Sequence, residues 1–334
     1  MKKLKSLICL MIMMLICGTI LVGCGDTKLQ VGDDEYCKVN IESNCPIKNT
    51  YFEVESKTLL YDLEIFDGDY IKLNKDIYVF DGYYNNSNFS KKYNKDYSIE
   101  KDINVYAKFD KITPDTTSSL NDTLNKKPSE VNTIDAFVTA ENLIENKDKY
   151  RIYYDGEITA LGIKSTISSQ REYDNGNCYL ENSINGVQTQ TEILKILSDN
   201  NTLVLNSNSY TLDEFEYING FGIYDTIPYI VSNVTVLEST TCTVKENDLY
   251  EFNITLDNQY STILYNKFLK RINASDVNTE FVSINLTFTI DENYNFQKIE
   301  VQEEYNQLVY GVLSNCKSSI TYRFDYSDFT SDKF

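Results

Sequence analysis

The strongest signal along the chain is a two-residue alternation in its last third. Tyr250, Phe252, Ile254 and Leu256 share one phase, with Glu251, Asn253 and Thr255 on the other. Val282, Ile284, Leu286, Phe288 and Ile290 alternate with Ser283, Asn285, Thr287 and Thr289, and Ile320, Tyr322, Phe324 and Tyr326 repeat the pattern. One apolar phase and one polar phase predict antiparallel strands covered on a single face. The residues Phe252, Ile254, Leu286, Phe288, Tyr322 and Phe324 are therefore expected on one inner face, as packed core or as the wall of an apolar ligand site. Further strands are predicted at Tyr150–Tyr154, Ile158–Ser168, Asn177–Leu180, Thr202–Leu205, Asn233–Glu238 and Thr241–Val244. Asp174-Asn175-Gly176-Asn177 has the composition of a hairpin turn.

Two segments switch to helical spacing. Asn132 or Thr133 is placed to cap a helix that carries Ile134, Phe137, Val138 and Ile144 in one stripe and stops at Asn146-Lys147. A second helix is predicted from Asn258 to about Ile272, with Tyr260, Ile263, Leu264 and Phe268 on its apolar side. Helices that cover one face of a broad antiparallel sheet make an α+β domain.

The N-terminal third reads as a separate, smaller unit. Cys37, Val39 and Ile41 alternate with Lys38, Asn40 and Glu42, an extended piece follows near Tyr51–Leu60, and Asp67-Gly68-Asp69 is a turn by composition. After it come Tyr78-Val79-Phe80-Asp81-Gly82-Tyr83-Tyr84, the turn run Asn85-Asn86-Ser87-Asn88, and Val105-Tyr106-Ala107-Lys108-Phe109. Gly82 permits an irregular backbone between Phe80 and Tyr84, whose rings are expected to pack on Val105 and Ala107. Residues 111–131 hold Thr113-Pro114-Asp115-Thr116-Thr117-Ser118-Ser119 and Lys126-Lys127-Pro128-Ser129, a linker by composition. The expected organisation is a signal over 1–23, a tether over 24–34, a module over 35–110, this linker, and the sheet domain over 132–330.

The address is set at the N-terminus. Lys2, Lys3 and Lys5 precede an apolar run from Leu7 to Val22, which ends in Leu21-Val22-Gly23-Cys24. A positive head, a short apolar stretch and a small residue make a secretory signal. An ordinary signal peptide and an N-terminal anchor helix are the alternatives for such a run. Leu-x-Gly-Cys at this position resembles the bacterial lipobox. That resemblance implies cleavage before Cys24 and a diacylglyceryl group on its sulfur, two acyl chains being enough for stable anchoring. Cys24 is then the lipid-attachment residue, and the protein is held on the extracellular face of the cell membrane.

Composition narrows the chemistry. The formal charge is −19, so the protein and the phosphates of nucleic acid repel each other. There is no histidine among 334 residues, which removes imidazole as general base, metal ligand or triad member. Cys37, Cys45, Cys178, Cys242 and Cys316 remain beyond the lipobox; no Cys-x-x-Cys pair supports zinc. A Cys37–Cys45 disulfide or simple burial as small hydrophobes are both open for these thiols. The acid pairs Asp213-Glu214 and Glu303-Glu304 are expected by chance among 50 acidic residues. Asp291-Glu292-Asn293 lacks the spacing of a calcium loop and is expected to be a solvated turn. No catalytic residue, metal or cofactor is assigned.

The run from Tyr78 to Phe109 resembles the internalin B-repeat, or Listeria–Bacteroides repeat, family over roughly Tyr36 to Asp110. Tyr83 and Phe109 stand where that family has tryptophan. The resemblance implies a small β-grasp-like module that serves as a spacer or protein-interaction unit. The element order after residue 132 resembles the LolA/LprG-like lipoprotein-carrier fold, which implies a curved antiparallel sheet around two helices. Two functions follow as expectations. One is a non-catalytic lipoprotein that presents surfaces to a protein or cell-wall partner; the other is a carrier or sensor of a lipid or other apolar ligand. They differ in whether the inner apolar face is filled or open.

Overall fold

The computed structural model of the protein describes residues 36–47, 49–63, 70–73, 76–113, 118–185, 189–199, 202–205, 207–219, 222–263, 265, 279–309 and 312–334. The signal, the lipobox and the tether lie outside the described residues, as does most of the helix expected over Asn258–Ile272. The chain is mostly β with few helices, within the broad α+β class. It forms two compact units, the first ending at Thr113 and the second running from Pro114 to Phe334.

The first unit is a five-stranded sheet of β1 (Tyr36–Ser43), β2 (Thr50–Glu55), β3 (Tyr70–Leu73), β4 (Asp76–Tyr84) and β5 (Ile103–Ile112), in the order β2-β1-β5-β4-β3. β1 and β5 run parallel at its centre, and the other pairs are antiparallel. Cys37, Val39 and Ile41 are buried and their neighbours are not, as the alternation in β1 requires. Asn44 closes the parallel pair: its side chain accepts from the Phe109 N–H at 2.7 Å and donates to the Phe109 carbonyl at 2.8 Å. One detail differs from the sequence expectation. An extra residue bulges out between Phe80 and Gly82, so Tyr83 rather than Tyr84 takes the phase of Phe80 and sits opposite Ala107. The Tyr83 ring lies 4.9 Å from Phe80 and 5.0 Å from Tyr61. Gly82 carries a φ of +150°, and a Cβ there would meet the Lys92 side chain at 2.4 Å.

The second unit opens on structure where a linker was expected. Helix α1 (Leu120–Leu124) is capped by Ser119, and a 3-10 turn follows at Pro128–Glu130. The buried Tyr294 hydroxyl donates to the Thr123 and Lys126 carbonyls at 3.0 and 2.9 Å, which fixes this polar stretch on the domain. Few apolar residues suffice because a tyrosine from elsewhere supplies the missing hydrogen-bond partner.

Helix α2 (Thr133–Glu145) keeps its predicted ends. The Asn132 side chain accepts from the Asp135 N–H at 2.8 Å, and Asn146 forms the C-cap. Sheet strands follow as β6 (Lys149–Ala160), β7 (Ile163–Asp174), β8 (Asn177–Asn185), β9 (Thr189–Asp199), β10 (Thr202–Leu205) and β11 (Asn208–Tyr210). Helix α3 (Leu212–Asn219) comes next, then β12 (Val236–Ser239), β13 (Thr243–Val244), β14 (Tyr250–Leu256), β15 (Glu280–Ile290), β16 (Phe296–Val309) and β17 (Val312–Asp325). All twelve strands join one antiparallel sheet in the order β11-β10-β9-β8-β7-β6-β17-β16-β15-β14-β12, with β13 also on β14. The chain thus lays down one half, β6 to β11, and returns with the other, so that β17 closes against β6.

Several boundaries moved for physical reasons. Ile158 belongs to β6, because the turn falls at Leu161-Gly162, both with positive φ. Residues 233–235 form a turn: the Thr235 hydroxyl donates to the Ile230 carbonyl at 2.7 Å, and the strand begins at Val236. Val282 is 51% exposed, not inward, since a bulge between Phe281 and Ser283 shifts the phase and buries Phe281. Strand β9 and helix α3 carry no sequence expectation, and β16 is the strand that the expected turn at Asp291–Asn293 leads into, without bounds of its own. Cys37, Cys178, Cys242 and Cys316 are free thiols, three of them buried and Cys242 partly so, and Cys45 is buried as well. They act as small apolar fillers.

Gly156 lies where β6 crosses β17. A Cβ there would stand 2.5 Å from the Ser319 carbonyl oxygen and 3.0 Å from the Ile320 Cα, both backbone atoms that have no room to yield. Gly156→Ala is expected to cost about 1–3 kcal/mol through this overpacking. Chemical denaturation of the purified variant checks it, and an unchanged midpoint would count against the close approach.

Candidate functional site

The inner face of the large sheet is the face on which α2 packs. Cross-strand register lines its side chains into rows. One row runs Phe252–Phe288–Ile299–Tyr322–Tyr154–Ser169–Asn182 across β14, β15, β16, β17, β6, β7 and β8. It changes from apolar to polar as it crosses the sheet, which divides the interior into three regions.

The first region is an aromatic block. Phe252 stacks on Phe288 at 4.9 Å, Phe137 from α2 meets Phe288 at 5.1 Å and Phe296 at 5.2 Å, and Phe296 stacks on Phe324 at 5.2 Å. Of the six residues singled out in the sequence, Phe252, Ile254, Leu286 and Phe288 form two adjacent cross-strand pairs and are fully buried. Tyr322 is buried two strands further on, with its ring 5.1 Å from Tyr154. Phe324 is half-buried at the edge of the block. Rings fill the space between these strands and α2.

The second region is a polar network on β6, β7 and β8. Asn182 accepts from the Tyr154 hydroxyl at 2.6 Å and the Ser169 hydroxyl at 2.5 Å, while its own amide N–H₂ has no partner. Arg171 reaches from β7 to donate to the Asp225 carbonyl at 2.9 Å, with its guanidinium 5.6 Å from the Tyr154 ring. Asp225 belongs to the segment 222–235, whose Ile223, Ile227, Tyr229 and Val231 are buried. Thr226 of that segment donates to Glu141 of α2 at 3.2 Å. The segment therefore lies against α2, none of whose residues is fully exposed. Burial also pushes the nearby Cys178 thiol up to about 11, which keeps it protonated and unreactive.

The third region surrounds Glu303. Residues Ile299, Val301, Glu303, Tyr305 and Gln307 of β16 share the inner phase, opposite Tyr322, Ile320, Ser318, Cys316 and Ser314 of β17. Glu303 is 5% exposed, and its carboxylate accepts a short hydrogen bond from the Ser318 hydroxyl. Burial raises its pKa from the ordinary 4.5 to about 7, with Ser318 acting in the opposite sense. Among the described residues no lysine or arginine pairs with it. Gln307 is fully buried, and neither its carbonyl oxygen nor its amide nitrogen has a partner. The rings of Tyr265, Phe281 and Tyr305 continue the wall, at 5.4 and 5.6 Å spacings. Glu304 points to the other face and pairs with Lys317 at 3.5 Å.

Counting acidic residues hid Glu303, while phase would have found it, since it falls in step with Ile299, Val301 and Tyr305. Glu214, by contrast, is half of a capping box: Thr211 and Glu214 exchange two 3.1 Å hydrogen bonds at the start of α3. Asp291 organises the β15–β16 turn, its carboxylate accepting from the Asn293 and Asn295 N–H groups at 2.9 Å each. Among the described residues no cluster of three His, Cys, Asp or Glu side chains is placed to hold a metal.

No protein-family profile matches the chain, and no curated protein matches it. Among solved structures it is similar to a DUF1329 family protein from Desulfovibrio piger, at 12% identity over 62% of this chain and 96% of that one, with a TM-score of 0.19. An inactive mutant of the CurK dehydratase aligns at 12% identity over 60% of this chain and 84% of its own, with a TM-score of 0.13. At such scores neither likeness carries an argument about fold or function.

Proposed function

We propose that the chain is a lipid-anchored, extracytoplasmic lipoprotein of the cell envelope that works by binding rather than by catalysis. Its anchor is a diacylglyceryl group on Cys24, and its partners are a protein or cell-wall component reached from the membrane surface. The charged head, apolar run and Leu21-Val22-Gly23-Cys24 box support the anchor. The strand order β2-β1-β5-β4-β3, with its central parallel pair, supports a β-grasp-like, B-repeat-type module as the first unit. The long antiparallel sheet laid over α2 supports a carrier-type, LolA/LprG-like arrangement for the second.

The observation that carries the binding reading is the aromatic block of Phe137, Phe252, Phe288 and Phe296. It closes the apolar phase on itself, as a packed interaction module requires. A second reading, a carrier or sensor with an interior ligand, is favoured by one specific feature, the buried polar groups around Glu303 and Gln307.

The anchor is tested by growing cells with a labelled fatty acid. Wild-type protein is expected to incorporate the label and fractionate with membranes, and Cys24→Ser to lose all of it. Label retained on Cys24→Ser would overturn the anchor.

A further inference from the structure

The outward face of β6 and β7 is wet along most of its length, where Asp155, Glu157, Lys164, Thr166 and Ser168 are exposed. At one end it is covered. Glu172 is 3% exposed and Tyr179 4%, although both stand in the outward phase of their strands. Register places them in one row with Arg151, so that Asp325–Arg151–Glu172–Tyr179–Lys195 crosses β17, β6, β7, β8 and β9. The cover is the segment 327–334, which follows β17. Phe329 lies over the Arg151 guanidinium at 3.7 Å, the Ser331 hydroxyl donates to Glu172 at 3.0 Å, and the Lys333 ammonium stands 5.0 Å from the centre of the Tyr179 ring. These alternate residues are half-buried, while Asp328, Thr330, Asp332 and Phe334 are exposed. The segment is thus an extended chain of period two that crosses the sheet and meets one strand at each inward step.

Side chains alone hold this segment. Among the described residues no backbone hydrogen bond joins 327–334 to the sheet. Each ring–cation contact and hydrogen bond is individually small, and the entropy lost on ordering the segment opposes their sum. The segment also leaves part of the row unused. The Arg151 Nε–H, 3.5 Å from the Glu172 carboxylate, makes no hydrogen bond. Lys195, next in the row, is exposed, and so are Ile193 and Leu197 on either side of it in the same phase of β9. A segment from another chain that repeats the three inward contacts and reaches one strand further gains a contact that the cis segment lacks.

We propose that this row is a docking site for an extended segment of a partner protein, and that residues 327–334 are its exchangeable occupant in cis. The partner segment carries an aromatic ring, a hydroxyl and a cation on alternate residues, followed in phase by an acidic side chain. The flat guanidinium of Arg151 takes the ring, the Glu172 carboxylate accepts from the hydroxyl, the Tyr179 face takes the cation, and Lys195 pairs with the acid. A partner has to displace an intramolecular competitor, so segments without the fourth contact are rejected. This rests on the reading of the chain as a binding protein and names the chemistry of its protein partner.

The test measures fluorescence anisotropy of a labelled peptide on the full mature chain. The peptide has the sequence of residues 327–334 with one glutamate added at its end, which places the acid in the inward phase. The double variant Phe329→Ala/Lys333→Ala loosens the cis segment. It is expected to bind the peptide at least about tenfold more tightly than wild type, whose apparent affinity is reduced by the small fraction of open row. Tyr179→Leu in that background is expected to lower binding several-fold, and Thr166→Ala, exposed elsewhere on the same face, to leave it unchanged. Equal binding by wild type and the double variant would overturn the proposal, as would no binding by a double variant that melts cooperatively. If the double variant does not fold, Lys333→Ala alone is expected to tighten binding by about threefold or more; no tightening would sink the idea. Fatty-acid labelling reports on the parent reading separately. A labelled protein whose row ignores the peptide loses this inference alone, and an unlabelled one that binds it keeps the row and loses the anchor.

Discussion

Phe288→Ala is expected to lower the stability of the second unit by about 3–5 kcal/mol, the range for removing a large aromatic side chain from a sealed core. Phe288 is fully buried and touches rings on three elements: Phe252 on β14, Phe137 on α2 and Phe296 on β16. The backbone around it is a continuous ladder from β14 through β17, so the space left behind has little freedom to collapse. Phe324→Ala, half-buried at the margin and in ring contact with Phe296 alone among the described rings, is expected to cost clearly less. Urea denaturation of the two variants checks the ordering. A loss at Phe288 below about 1 kcal/mol would mean that the aromatic face already borders a void, and the packed-module reading of this region would fall with it.

How much of this was legible beforehand depends on how local the cause is. The ends of α2 were readable because Asn132 and Asn146 cap it through contacts three residues away or fewer. The alternation in β1 and β14 was readable because period two needs no knowledge of the neighbour strand. Val282 was misplaced because a single bulged residue changes the phase without any mark in composition. The polar stretch around Thr123 and Lys126 looked like a linker because its stabilising partner, Tyr294, lies far away in sequence. The bounds of strand β16 are not legible in the sequence since its outward phase is Lys, Glu, Gln and Asn, and its inward phase is interrupted by an acid. That acid, Glu303, is buried on the inner face with the Ser318 hydroxyl as its hydrogen-bond donor. Local consistency fails there, because a carboxyl occupies a position whose phase asks for an apolar side chain.

Removing that acid is expected to have the second large effect, and its sign follows from linkage. Glu303 titrates near 7 in the folded protein because burial disfavours its charged form, against 4.5 for the ordinary side chain. Between these values the folded state binds more protons than the unfolded state, so stability falls as pH rises. The full contribution is present below about pH 4.5, declines through pH 7, and is flat above it. A shift from 4.5 to about 7 corresponds to roughly 3 kcal/mol. Other carboxyls act in the opposite sense. Asp325 is lowered by hydrogen bonds from Ser327 and by Arg151, and Asp81 of the first unit is lowered to about 2 by its hydrogen bonds from Tyr84 and Lys92. They are common to both proteins, so the informative quantity is the difference between Glu303→Gln and wild type at each pH. Glu303→Gln is expected to match wild type within about 1 kcal/mol at pH 4.5 and to exceed it by about 3 kcal/mol at pH 8. Unfolding free energies from urea titrations at four pH values measure that difference. A difference that does not grow with pH would show that Glu303 keeps an ordinary pKa, and hence that solvent or a cation already compensates its charge in the folded protein.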